Sequence, residues 1–239
     1  MNRINEINNL DLKGKPIIQS FSGSGAIGTI LATFLVKSLK MEQVAVVHAE
    51  DLPPVAIVKD GLIEQPIRIF QNDQIALMSC EVSIPYNTVP DFIEMLVDFY
   101  IKSEVSHIVP VGGLPSIMTP FEEINCYGIA SNEETLSFLE EKGVQFLEEG
   151  VIYGTVVQTL ELCNTKGFEK NFALLAECDP NTASYDSTKA LVQNLAKIFE
   201  FEFDEKEFEN VTNIIKSRIM ESTRILREDS FDKTRESHL

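Results

Sequence analysis

Strand and helix signals alternate from end to end of this 239-residue chain, and the alternation predicts an α/β protein. Three stretches carry the prediction. Residues 16–48 read as strand, helix, strand; residues 55–82 read as two hairpins set inside the alternation; from residue 107 onward strands and helices alternate again. The hairpins are antiparallel and the strand–helix–strand units favour parallel crossovers, so the sheet should be mixed.

Each element has its own local reason. Pro16 to Phe21 is a short apolar strand, followed by a glycine-rich turn. Ile27, Ile30, Leu31, Phe34, Leu35 and Leu39 then keep a 3.6-residue period, which predicts a helix from about Ala26 to Lys40. Gln43 to His48 is a valine-rich strand. Val55 to Val58 and Leu62-Ile63 flank Asp60-Gly61, a hairpin signal; Ile67 to Phe70 and Gln74 to Val82 flank Asn72-Asp73, a second one. Asn87 to Ser103 is helical, with Val89, Phe92, Ile93, Leu96, Val97 and Tyr100 on one face. His107 to Val111 is a buried strand that runs into Gly112-Gly113. Tyr127 to Ala130 is a brief strand, and Asn132 is placed to cap a helix reaching Lys142. A helix follows Gly154 and ends near Asn164, Asn171 to Glu177 is a strand, and Asp186 to Phe199 is a helix.

No repeat or Pro/Ser-rich linker divides the chain. This predicts one domain over residues 1–227, whose last helix covers about 204–227 with Phe208, Val211, Ile215, Ile219 and Leu226 in one stripe. Residues 228–239, half of them charged, should form a flexible polar tail.

Lys and Arg total 20 against 37 Asp and Glu, a net charge of −17. A field of that sign repels phosphate backbones and anionic lipids, so neither nucleic acid nor a membrane surface is an expected partner. The first fifteen residues lack the apolar run of a signal peptide, and no segment is long and apolar enough to span a bilayer. Cys80, Cys126, Cys163 and Cys178 show no metal-type spacing and read as buried free thiols. A cytoplasmic protein with no metal site is the expectation.

Gly23-Ser24-Gly25-Ala26-Ile27-Gly28 matches the G-x-G-x-x-G pattern between a strand and a helix, and Glu50 ends the next strand at the distance of a ribose-binding acid. Two readings stand side by side. Gly23, Ser24, Gly25, Gly28 and Glu50 could hold a phosphate-type ligand, with backbone N–H groups at the helix start as donors. Alternatively, the glycines serve a tight turn and close helix–sheet packing. A dinucleotide fold would continue with a helix, whereas Leu52-Pro53-Pro54 leads into a hairpin. His48 and His107 read as strand-end or core histidines, and Glu177 with Asp179 as a solvated turn. No catalytic set emerges.

Taken together, several stretches resemble the proteasome assembly chaperone 2 family of archaea and eukaryotes. They are the glycine loop at Gly23 to Gly28; Leu52-Pro53-Pro54-Val55 with Asp60-Gly61 and Pro66; Gly112-Gly113-Leu114; Gly150-Val151-Ile152-Tyr153-Gly154; and Asp186 with Ala190, Leu191 and Leu195. Within them Pro53, Pro54, Gly112, Gly113, Gly154 and Asp186 carry the motif. Ser187 and Val157 depart from it, standing where proline and glycine are common. The resemblance implies a three-layer α/β/α domain of phosphorylase/hydrolase-like type and no cofactor. It also implies ATP-independent chaperoning of proteasome α-subunits and a homo-oligomer. Gly23-Ser24-Gly25 is also similar to the phosphate loop of nucleoside phosphorylases, which leaves a phosphate- or nucleotide-binding enzyme as the alternative. Some members of the chaperone family end in a hydrophobic–tyrosine–any tail. Here Ser237-His238-Leu239 stand instead, so α-subunit contact is expected from the folded body.

Overall fold

The computed structural model describes residues 2–50, 52, 54–59, 61–116 and 123–216. The chain divides after Phe203 into two units, each described by itself. The strands of the first unit are β1 (Arg3–Glu6), β2 (Pro16–Phe21), β3 (Glu42–His48), β4 (Ile57–Lys59), β5 (Leu62–Glu64), β6 (Ile67–Gln71), β7 (Ala76–Cys80), β8 (His107–Pro115), β9 (Cys126–Ala130) and β10 (Phe172–Cys178). Its helices are α1 (Ile27–Ser38), α2 (Val89–Lys102), α3 (Glu133–Glu141), α4 (Thr155–Thr165) and α5 (Tyr185–Phe199).

Eight strands make one mixed sheet in the order β1-β3-β6-β7-β2-β8-β10-β9, and among the described residues β4 and β5 pair only with each other. Its middle, β7-β2-β8-β10, is parallel, while β1, β6 and β9 run the other way. All six residues of β2 are buried, as a central strand covered on both faces requires.

Alternation along β2 sorts the helices into layers. Phe21 meets the Phe92 ring of α2 edge-on at 6.4 Å, and Gln19 Oε1 accepts a hydrogen bond from Thr159 Oγ1 of α4 at 2.7 Å. On the opposite face, Ser20 Oγ donates to the Gly28 carbonyl of α1 at 2.8 Å. Helices α1, α3 and α5 share that face: His107 is ringed by Phe138 of α3, Phe199 of α5 and Phe172. The predicted α/β/α sandwich is thus the observed fold. Ile27, Ile30, Leu31, Phe34 and Leu35 of α1 are at most 1% exposed. Burying a side chain of that size contributes about 1.5–3 kcal/mol.

Within residues 1–203 the predicted strands and helices are present, with ends shifted by a few residues. Asn132 caps α3 as predicted, its Oδ1 accepting the Thr135 N–H at 2.8 Å. Two features of the sheet differ from the sequence reading. Strand β1 was not anticipated: Arg3 and Glu6 hide it, because an edge strand needs no apolar alternation. And the second hairpin, read along the chain only as set inside the alternation, supplies the centre of the sheet, since β7 pairs with β2 in parallel.

In the second unit residues 205–216 are helical, and Asp204 begins them by accepting the N–H groups of Lys206 and Glu207 at 2.8 and 3.2 Å. Phe208 and Val211 are buried. The expected continuation through Ile219 and Leu226, and the polar tail, lie outside the described residues.

Candidate functional site

The glycine loop lies where the C-terminal ends of β2, β8 and β10 meet. Gly23 is extended, and Ser24 to Ala26 make a 3₁₀ turn in which Gly25 takes φ +66° and Ala26 φ +52°. The left-handed backbone at Gly25 favours glycine, and its surroundings reinforce this. A Cβ there would stand 2.9 Å from Ser184 Oγ and 3.0 Å from Cys178 Cβ. At Gly28 a Cβ would lie 2.9 Å from both the Phe21 carbonyl carbon and Ser20 Oγ, and closer still to the Phe21 oxygen. Gly113 is equally confined, with Cys178 Sγ at 2.5 Å and the Ser24 carbonyl at 2.6 Å. Gly25, Gly28, Gly113, Cys178 and Ser184 therefore form one packed corner, whereas a Cβ at the exposed Gly23 would meet nothing within 4 Å. The Ser184 N–H ties it to α5 by donating to the Gly25 carbonyl at 2.8 Å.

Glu50 belongs elsewhere. It follows β3, which is separated from β2 by β6 and β7. Three strand spacings are about 14 Å, so loop and acid are not neighbours as in a dinucleotide fold. Pro54 is exposed ahead of β4, and Pro53 lies outside the described residues. Gly112 faces the Leu175 and Val156 side chains with ordinary contact room; Gly154, at φ +89°, precedes α4; Asp186 is exposed in the first turn of α5.

The titratable groups are held in structural roles. Burial pushes the thiols of Cys80, Cys126 and Cys163 up to about 12, and that of Cys178 to about 11. His107 is driven down to about 4 by burial and by Lys170. A hollow of about 290 Å³ opens beside it, lined by Glu134, Thr135, Phe138, Glu169 and Lys170. Glu177 Oε2 accepts from the Asn125 N–H and from Asn125 Nδ2, at 3.2 and 2.8 Å. Asp179 Oδ1 closes a turn on the Asn181 N–H. Among the described residues no group of three His, Cys, Asp or Glu is gathered as a metal site.

Sequence reasoning did not find two polar clusters. Arg68 on β6 is 8% exposed and pairs with both Glu64 and Glu81 beside the Phe70 ring, whose centroid is 5.3 Å from the guanidinium carbon. Its partners are 4 and 13 residues away in sequence. Only the charge itself, inside an apolar strand, could have flagged it. The second cluster lies between β2 and α2/α4. Gln19 and Thr159 bond there, and the buried Tyr100 hydroxyl stands beside Gln19.

The exposed apolar residues are as distinctive. Val58, Leu62 and Ile63 on the β4–β5 hairpin are 70%, 72% and 75% exposed. Tyr86 precedes α2, and Val151 and Tyr153 precede α4; all three are more than 80% exposed. Every one of these segments sits where a chain enters or leaves the C-terminal edge of the parallel strands.

The fold has counterparts in known proteins. An archaeal homologue of proteasome-assembly chaperone, PbaA of Pyrococcus furiosus, superposes with a TM-score of 0.80 at 21% identity, covering 98% of this chain and 97% of its own. PbaB of the same organism, an archaeal proteasome activator, gives 0.76 at 17% identity over 95% and 98% of the two chains. An uncharacterized protein of Methanocaldococcus jannaschii is 24% identical over 207 residues, 87% of this chain and 82% of its own length. No helix among the described residues is long and apolar enough to cross a membrane. The model of the PAC2 family matches residues 17–222, from the first strand of the parallel core to beyond the last described helix, and the chain belongs to that family.

Proposed function

We propose that this protein is an ATP-independent, proteasome-assembly chaperone-like protein that binds proteasome α-subunits and works as a homo-oligomer in the cytoplasm. The observation that carries the reading is the family match over residues 17–222, joined to an α/β/α fold shared with PbaA across 98% of the chain. The chemistry of the molecule supports it. Gly25 and Gly113 pack against Cys178, Ser184 and Ile27, which gives those glycines a use in the fold without any ligand. The acids and histidine at strand ends are engaged in turns, backbone bonds and ring packing. The exposed apolar residues, by contrast, suit contact with another protein.

The test is direct. Purified protein is mixed with α-subunits from the same organism, without nucleotide, and followed by gel filtration and light scattering. Co-elution that ATP leaves unchanged is the expected result. Failure to co-elute, together with turnover of a nucleoside in inorganic phosphate, would replace this reading with the enzyme.

A further inference from the structure

The β4–β5 hairpin is built unlike the rest of the molecule. Its six paired residues form a two-stranded sheet that joins no other strand among the described residues. Val58 and Ile63 stand directly opposite each other in the register, so they share one face, at 70% and 75% exposed. Leu62, at 72%, stands on the other. An isolated two-stranded hairpin is marginal in water, and β-branched aliphatic side chains left in solvent contribute nothing to holding it. Its base, however, is anchored. Glu64 at the end of β5 and Glu81 beyond β7 grip the same Arg68. The paired strands therefore have a tethered base, and their Val58/Ile63 face is bare.

Charge says what can cover it. Residues 50–64 carry Glu50, Asp51, Asp60 and Glu64 against one lysine, Lys59. That lysine already lies 3.8 Å from Glu64. A second copy would bring the same acidic segment to this face. A surface with lysine and arginine around an apolar groove would meet the tip without that repulsion.

We propose that the β4–β5 hairpin is the docking element of this protein, its Val58/Ile63 face entering an apolar groove, rimmed by basic side chains, on a partner subunit. The inference rests on the chaperone reading above and adds which residues make the contact.

The experiment immobilises a purified α-subunit and titrates full-length wild type, Val58→Asp/Ile63→Asp and Val58→Thr/Ile63→Thr, at low and high salt. The threonine pair keeps β-branching, so it separates lost contact from a disordered hairpin, and circular dichroism and light scattering accompany each titration. The aspartate pair should bind about 30-fold more weakly or worse, the threonine pair should fall between, and salt should weaken wild type. Wild-type affinity in both variants would overturn the proposal. So would salt-insensitive binding. If the aspartate pair breaks an oligomer yet still binds the α-subunit, the face belongs to a second copy and the proposal is wrong. If wild type itself does not bind, the chaperone reading falls first and this inference with it.

Discussion

Gly28→Ala sets two physical effects against each other, and the structure decides between them. Gly28 is the second residue of α1, where helix propensity alone would make alanine the better residue by up to about 1 kcal/mol. The added Cβ, however, would stand 2.9 Å from both the Phe21 carbonyl carbon and Ser20 Oγ, with the Phe21 oxygen nearer still. Two of those three atoms are backbone of β2, so neither can turn aside. The helix must retreat from the sheet by something near 1 Å. A gap of that size forfeits a quarter to a half of each contact's attraction. Ile27, Ile30, Leu31, Phe34 and Leu35 all lose packing, and the Ser20–Gly28 hydrogen bond at 2.8 Å is stretched. Overpacking of this kind costs about 3 kcal/mol. Set against the propensity gain, the net destabilisation should be about 2 kcal/mol, or a Tm lower by roughly 4–8 °C for a protein of this size. Urea denaturation checks it: the midpoint should fall while the m value holds. A Gly28→Ala protein as stable as wild type, or more so, would refute the close approach of α1 to β2.

Other outcomes follow from single sites. Thr159→Val should cost about 1–2 kcal/mol, because it removes the hydroxyl that bonds Gln19 inside the core; thermal melts check it, and an unchanged Tm would count against that bond. Burial holds the His107 pKa at about 4, below its ordinary 6.5, so the unfolded chain takes up a proton first on acidification. The stability this residue contributes is present above pH 6.5 and lost as the pH falls toward 4, by about 2 kcal/mol once screening at a half-buried site is allowed for; His107→Leu should flatten that part of a stability-versus-pH curve, and parallel curves would count against it. Arg68→Met should cost about 2–3 kcal/mol in urea, since it strands the Glu64 and Glu81 carboxylates, which are 28% and 21% exposed; a neutral result would mean that water already solvates them.

Local pattern was enough for the elements of this protein, and only the fold could say what stands beside what. The period of α1, the Asn132 cap and both hairpins are set within a few residues of chain, where steric and hydrogen-bonding preferences act directly, so they were legible. The charge of −17 was legible too, because it is a sum. Strand order was not. β7 pairs with β2 at a sequence separation of 59 residues, as Ile17 meets Ala76, and nothing in either strand names the other. For the same reason Glu50 looked like a partner of the glycine loop when read along the chain, yet β6 and β7 lie between their strands. The glycines themselves could be read either as a ligand cradle or as a packing device. Cys178 and Ser184 brought in from more than 150 residues away make the corner tight. Arg68 drew no notice because a charge in a strand is explained only by its neighbours, and Glu81 reaches it through the turn that the second hairpin makes. Exposure of Val58 and Ile63 was equally hidden: a hairpin's alternation tells which residues share a face, and only the surrounding fold decides whether anything is there to cover it.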